Sequence, residues 1–453
     1  MKKHFLEQSL IFFSVTKWVL LSSAIGVVIG SIVTFFLNTI HKSEEVQSLL
    51  PFPSYYLLPL GLVVTVFLVR KFAPNATGHG TEKVIEAVHR KNGKIDFAVI
   101  PVKLVATVIT MFTGGSVGKE GPGAQIGAGA ASAISQLFKF SAKDRKKLVI
   151  CGISAGFASV FGTPISGAIF GVEVLIVGII MYDVLLPSFI AGFAAYTTAK
   201  YLGVHYSYYL MELDSISFNP TLILQVILAG LFFGIVSDFL ITVLRRTEMG
   251  IKRININIYL KAFLCGTFLV LLSFVIGDQY FGLGLDTIST LFYSDPALSE
   301  NVPWYSFIAK TIYTSITLGA GGSGGVITPI FYVGATSGHL FGTFMGENIS
   351  LFAALGLVSV LAGTTNSPIA ATIMAIELFG IDIAHYAAVS AVITFLITGH
   401  RSVFQSQVLK MSKSDMLNIE FGEDITQSNI DLSTKSKAKV ESFRKKMDWR
   451  EKK

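Results

Sequence analysis

Apolar stretches long enough to cross a bilayer, upright or obliquely, recur along almost the whole chain. They run from Val15 to Ile40, Tyr55 to Val69, Phe97 to Phe112, Val149 to Met181, Val184 to Leu202, Leu222 to Leu244, Tyr259 to Ile276 and Phe307 to Leu318, with several more between Val333 and Ile397. With 52% hydrophobic and only 14% charged residues among 453, and a mean hydropathy of +0.62, the chain cannot be arranged as an ordinary water-soluble domain. An open sheet edge is not tolerated in hydrocarbon, and the period-2 pattern of a barrel is absent. The expected class is therefore all-α: a polytopic membrane protein of a dozen or more helical pieces, many of them short. Forty-two glycines add that helices approach closely and break within the membrane.

The chain also repeats itself. "GGSVGKEGPGAQIGA" from Gly114 and "GGSGGVITPIFYVGA" from Gly321 share two glycines, a serine, a later glycine, a proline and a closing Gly-Ala at identical spacing, 207 residues apart. "PISGAIFGVE" from Pro164 and "PIAATIMAIE" from Pro368 share a proline, two isoleucines and a terminal glutamate, 204 residues apart. Two matches at nearly one offset define two halves, about 15–205 and 220–410. In membrane transporters such halves are commonly inverted about an in-plane pseudo-twofold axis, with broken, tilted helices whose starts meet at the membrane middle.

Each glycine-rich stretch leads through a proline into an apolar run, and proline suits a first helical turn, where its missing N–H would be unpaired anyway. The N–H groups of the first helical turn have no carbonyl partner, and the aligned peptide dipoles leave about half a positive charge there. Two such ends meeting inside a bilayer make a site for a small anion that needs no fully charged binding residue. Glu120 stands at the start of one of them. Its ionised carboxylate is a tethered competitor for the same N–H groups, and protonation releases it, so Glu120 is the expected gate.

Other chemistries are set aside on the residues. "GGSVGKE" has Thr113 where a phosphate-binding loop needs its first glycine, and Glu120 where it needs a serine or threonine. "GGSVG" and "GGSGG" formally satisfy G-x-S-x-G, the distant alternative of an intramembrane serine hydrolase with Ser116 or Ser323 as nucleophile. These serines occur symmetrically in both halves, whereas no histidine is repeated. No metal-ligand cluster and no cofactor motif is visible. Cys151 and Cys265 lie in apolar segments and read as buried thiols. The basic charge behind the net +7 is concentrated in loops and tails, at Lys139–Lys147, Arg245–Arg253 and Lys435–Lys453. At helix ends they are orientation signals rather than nucleic-acid contacts, and they place the C-terminus in the cytoplasm. The first apolar run is too long for a cleaved signal. Residues 1–411 are expected to form one membrane domain, and 412–453 a charged cytoplasmic tail too short for a globular domain of its own.

These residues carry a resemblance to a known family. "GKEGP" at Gly118–Pro122 is similar to the G-(K/R)-E-G-P motif of the CLC chloride channels and proton-coupled chloride transporters. "GGVITP" at Gly324–Pro329 resembles that family's G-x-F-x-P motif, and "KFAPNATGHGT" at Lys71–Thr81 occupies the place of its G-S-G-I-P motif. The resemblance covers essentially the whole membrane portion and implies a homodimer in the cell membrane with one anion pathway per subunit. It implies Glu120 as the gate, and an anion site formed by His79, Gly80, Gly118, Lys119, Gly121, Gly325, Val326, Ile327 and Phe404.

Departures from the family pattern matter as much. The anion-contacting serine aligns with His79, the first-motif proline with Glu82, the third-motif phenylalanine with Ile327, and the pore tyrosine with Phe404, so two hydroxyl donors give way to one imidazole. Coupled members carry an inner proton-relaying carboxylate on the proline-opened helix of the first half. Counted from Pro164, that position is Val174, as in the family's channels, while the adjacent Glu173 points about 100° away. Glu173 and its repeat partner Glu377 read as a structural cap or an interhelical bond near the membrane surface. The resulting expectation is a passive conductor of chloride or a similar anion gated by Glu120. The alternative is a proton/anion antiporter, for chloride or fluoride, that uses Glu173 or another relay.

Overall fold

The computed structural model describes residues 2–206, 208–209, 220–292, 302–346, 348–427 and 430–432. The basic cluster at Lys435–Lys453 lies outside the described residues.

Sixteen α-helices are present among them: α1 Lys2–Ser48, α2 Leu58–Phe72, α3 Thr81–Arg90, α4 Val99–Phe112, α5 Glu120–Leu137, α6 Ala142–Phe161, α7 Pro164–Glu173, α8 Tyr182–Tyr201, α9 Pro220–Arg253, α10 Ile258–Ile276, α11 Leu285–Thr290, α12 Ser306–Gly319, α13 Ile327–Met345, α14 Ile349–Thr365, α15 Pro368–Phe379 and α16 Ala384–Ile397. The first eight recur in order as the second eight, with α4, α5 and α6 reappearing 207 residues later as α12, α13 and α14. Among the described residues, four helical segments, within α1, α9, α10 and Ser54–Phe72, are long and apolar enough to cross a membrane. Most others are shorter, because turn residues divide the apolar runs. The run from Val149 to Met181 is cut at Gly162, whose φ of +74° ends α6, and Pro164 then opens α7.

Glycine lets these short helices pack backbone to backbone. A Cβ on Gly127 would sit 2.5 Å from the Gly152 carbonyl across α5 and α6, and one on Gly334 would sit 2.4 Å from the Gly356 carbonyl across α13 and α14. Cys151 is buried and Cys265 half-buried, and both are free thiols.

Contacts across the halves are reciprocal, as a twofold relation requires. Ser116 Oγ meets Thr314 Oγ1 at 3.0 Å, and its repeat partner Ser323 Oγ meets Thr107 Oγ1 at 3.1 Å. The strands among the described residues are short. Ile176–Val177 (β1) pairs in parallel with Val408–Leu409 (β2), and Leu417–Ile419 (β3) pairs antiparallel with Ile430–Leu432 (β4). Backbone hydrogen bonds of Leu409 with Gly422 and Glu423, and an Arg90–Asp424 ion pair, tie residues 422–424 to the helical bundle.

Candidate anion and proton site

Three helix N-termini converge, and glycine is what admits them. Gly118 and Gly325, from the two repeated motifs, exchange both backbone hydrogen bonds, 2.7 Å from Gly118 N to the Gly325 carbonyl and 2.6 Å in return. This ties the start of α5 to the start of α13. A Cβ on Gly121 would come 2.1 Å from the His79 carbonyl and 3.1 Å from Gly325 Cα, so the residue after Glu120 is pressed between both neighbours. Gly80, at φ +85°, precedes α3, and a Cβ there would lie 2.5 Å from the Gly121 carbonyl. The starts of α3, α5 and α13 therefore meet without side chains between them.

Glu120 is 1% exposed, and its carboxylate lies on the N-terminus of α13. Oε1 accepts the Thr328 hydroxyl at 2.6 Å, and Oε2 accepts the Thr328 N–H at 3.2 Å. A negative side chain thus takes the donors that the charge of a helix N-terminus makes attractive to any anion. Thr328 had not been singled out from the sequence. Its signal was slight: it is a threonine one residue before the proline of the second motif, at the repeat position of Gly121.

The other sequence-selected residues fall as follows. Val326 and Ile327 are buried at the first turn of α13. His79 is half-buried, with its ring centroid 5.8 Å from that of Phe404, and its Nδ1 has no hydrogen-bond partner among the described residues. Phe404 is fully buried and also meets the edge of Phe170 on α7. Lys119 is half-buried beside Glu120 in the chain.

Glu173 and Glu377 lie apart from this convergence and cap each other's helices. Glu173 accepts the N–H groups of Ile369 (3.1 Å) and Ala370 (2.8 Å) at the start of α15. Glu377 accepts those of Ile165 (3.0 Å) and Ser166 (2.8 Å) at the start of α7. Both Glu173 oxygens are thereby engaged, which suits a cap better than a mobile proton carrier. Val174 is fully buried, and its carbonyl is held by Gln407 Nε2 at 2.8 Å. Ser116 and Ser323 are bonded to threonines rather than to a histidine base, which removes the geometry a hydrolase needs.

Sequence reading also passed over a third element of the repeat. Lys103 on α4 and Lys310 on α12, 207 residues apart, are both fully buried. Lys103 Nζ donates to the carbonyls of Ala76 (3.2 Å) and Gly78 (2.6 Å), and Lys310 Nζ to those of Tyr280 (3.0 Å) and Gly282 (2.8 Å). Each ammonium gathers the loop before a short helix, α3 or α11. Gly78 and Gly80 match Gly282 and Gly284, and all four have positive φ. Two shared glycines were too sparse a signal, but two lysines at the known offset were legible.

A family model described as voltage gated chloride channel matches residues 60–399. The chain is 30% identical over 406 residues to a chloride/fluoride channel protein of Pseudomonas syringae pv. tomato, covering 88% of each. It is 25% identical over 441 residues to an H(+)/Cl(-) exchange transporter ClcA of Vibrio vulnificus, covering 88% of this chain and 90% of the other. Among solved structures, a CLC-type fluoride/proton antiporter superposes with a TM-score of 0.82 at 29% identity, covering 88% of this chain and 99% of the other. The protein belongs to the voltage-gated chloride channel (CLC) family: a multi-pass membrane protein of anion transport, not an enzyme.

Proposed function

We propose that this protein exchanges protons for a small halide, fluoride foremost and chloride as the alternative, as a homodimer in the cell membrane with one pathway per subunit. The observation that carries the proposal is the seat of Glu120 on the Thr328 N–H and hydroxyl. A carboxylate and an anion cannot share these donors. Protonation removes the charge that holds Glu120 there, the side chain leaves, and an anion takes its place. Return of the carboxylate requires loss of the proton and expels the anion. Gly118 makes room for this motion, since a Cβ there would sit 2.4 Å from Glu120 Oε2. Fluoride is placed first because the two compared proteins that share about 30% identity with this chain carry fluoride in their descriptions.

Passive conduction, the leading expectation from the sequence, is retained as the second reading on one observation: Val174 offers no titratable group where coupled relatives are expected to have one. The two readings separate in liposomes loaded with potassium fluoride or chloride and diluted into low-halide buffer, with valinomycin clamping the voltage at zero. Antiport takes up protons from an unbuffered exterior as the halide leaves, more strongly with the preferred ion. Halide efflux with no proton uptake would overturn it.

A further inference from the structure

An antiporter must bring protons to Glu120 from the other side of the membrane, and bare hydrocarbon does not carry them. Glu173 is engaged at both oxygens and Val174 is inert. Elsewhere in the chain, two titratable groups share an unusual condition. His79 Nδ1 and Glu82 Oε2 are both buried and without a hydrogen-bond partner among the described residues. They flank the start of α3, His79 two residues before its first residue and Glu82 at its second.

The segment after α16 runs alongside both. Phe404 meets the His79 ring, and two residues on, Ser406 donates its N–H (3.0 Å) and hydroxyl (2.6 Å) to Glu82 Oε1. One oxygen of Glu82 is thereby fixed, while the other is left open to a proton. On the inner side His79 adjoins the gate, because its carbonyl packs directly against Gly121, the neighbour of Glu120. The loop carrying it is pinned by Lys103 through the Ala76 and Gly78 carbonyls. Glu82 is half-buried and lies next to the Lys83–Glu86 pair, in the first turn of α3, whose far end at Arg90 pairs with Asp424.

We infer that Glu82 and His79 form the inner proton relay of this protein, standing in for the carboxylate absent at Val174; this rests on the antiport reading above. A proton from cytoplasmic water adds to Glu82 Oε2, passes to His79 Nδ1, and from there reaches the Glu120 carboxylate through a bridging water. Each group returns to its starting state, and one proton is delivered. The charged groups acting on His79 are Lys83 on α3, Lys103 on α4 and Glu248 on α9, with Glu120 on α5 as acceptor.

The test uses the full chain in liposomes, with fluoride efflux and proton uptake recorded in the same vesicles under the voltage clamp. Glu82→Gln keeps an oxygen for Ser406 but cannot carry a proton, and His79→Asn removes the imidazole. Glu86→Gln, one turn further along α3, is the control. The relay predicts that wild type and Glu86→Gln take up protons, and that Glu82→Gln and His79→Asn lose proton uptake while Glu82→Gln vesicles still release fluoride. Proton uptake preserved in both relay variants would overturn the relay and leave the antiport reading standing. Wild-type protein that moves fluoride without protons would overturn the antiport reading, and the relay with it.

Discussion

At the scale of single residues, the account turns on what Glu120 does to the start of α13. Glu120→Gln retains an oxygen for Thr328 but abolishes the charge that competes with an anion, so halide flux should lose its dependence on pH and proton transport should vanish. Flux electrodes at two pH values check this. Gly121 tests the close approach itself. In Gly121→Ala the new methyl meets the His79 carbonyl backbone, not a side chain that can rotate away, so a cost of about 1–3 kcal/mol and loss of transport are expected. Thermal unfolding in detergent, read beside flux, separates the two effects. Glu120 was legible from sequence because a carboxylate among apolar residues is conspicuous. Thr328 was not, because an ordinary threonine gains its role only when the second half is folded onto the first.

At the scale of elements, the reciprocal caps and the short loops explain how half-length helices persist in a membrane. Each of Glu173 and Glu377 satisfies two N–H groups of the other's helix that would otherwise be unpaired. Glu173→Ala or Glu377→Ala should cost about 1–2 kcal/mol, visible as a lowered unfolding temperature in detergent. Glu173→Gln should leave proton coupling intact, and loss of coupling there with flux preserved would return the relay to Glu173. The sequence pattern showed both glutamates as repeat partners with a capping or interhelical role. It did not show that each caps the other's helix.

A second element-scale prediction concerns the junction with the tail. His400 Nε2 accepts the Lys413 N–H at 2.8 Å, while Lys413 Nζ donates to Asn366 Oδ1 and the Phe395 carbonyl, both at 2.6 Å. Burial, reinforced by the Lys413 ammonium, lowers the His400 pKa from its ordinary 6.5 to about 4. The unfolded junction therefore binds a proton more readily than the folded one. Its contribution to stability is complete above pH 6.5 and fades as pH falls through about 4. Hydrogen exchange at residues 409–414 should accelerate over that acid range, and His400→Gln should flatten the response.

At the scale of the whole molecule, duplication is what the sequence made plain, and the reciprocal contacts between the halves are what the fold adds. The 207- and 204-residue offsets anticipated two halves, and α1–α8 do recur as α9–α16. The first motif's partner went unseen because only Gly78 and Gly80 survive in Gly282 and Gly284, yet the buried Lys103 and Lys310 show it once the loops are in place. Transport class was the least legible property. It was read from one position, Val174, whereas proton coupling depends on which titratable groups reach Glu120 in three dimensions.

The measurement that bears most directly on the central claim is the reversal potential of the purified protein in planar bilayers or liposomes under a fixed halide gradient, with the proton gradient varied. Coupled exchange predicts a reversal potential displaced from the halide equilibrium value that moves with each step in the pH gradient, by an amount set by the proton-to-halide ratio. A potential that stays at the halide equilibrium value whatever the pH gradient would contradict it and identify a passive conductor.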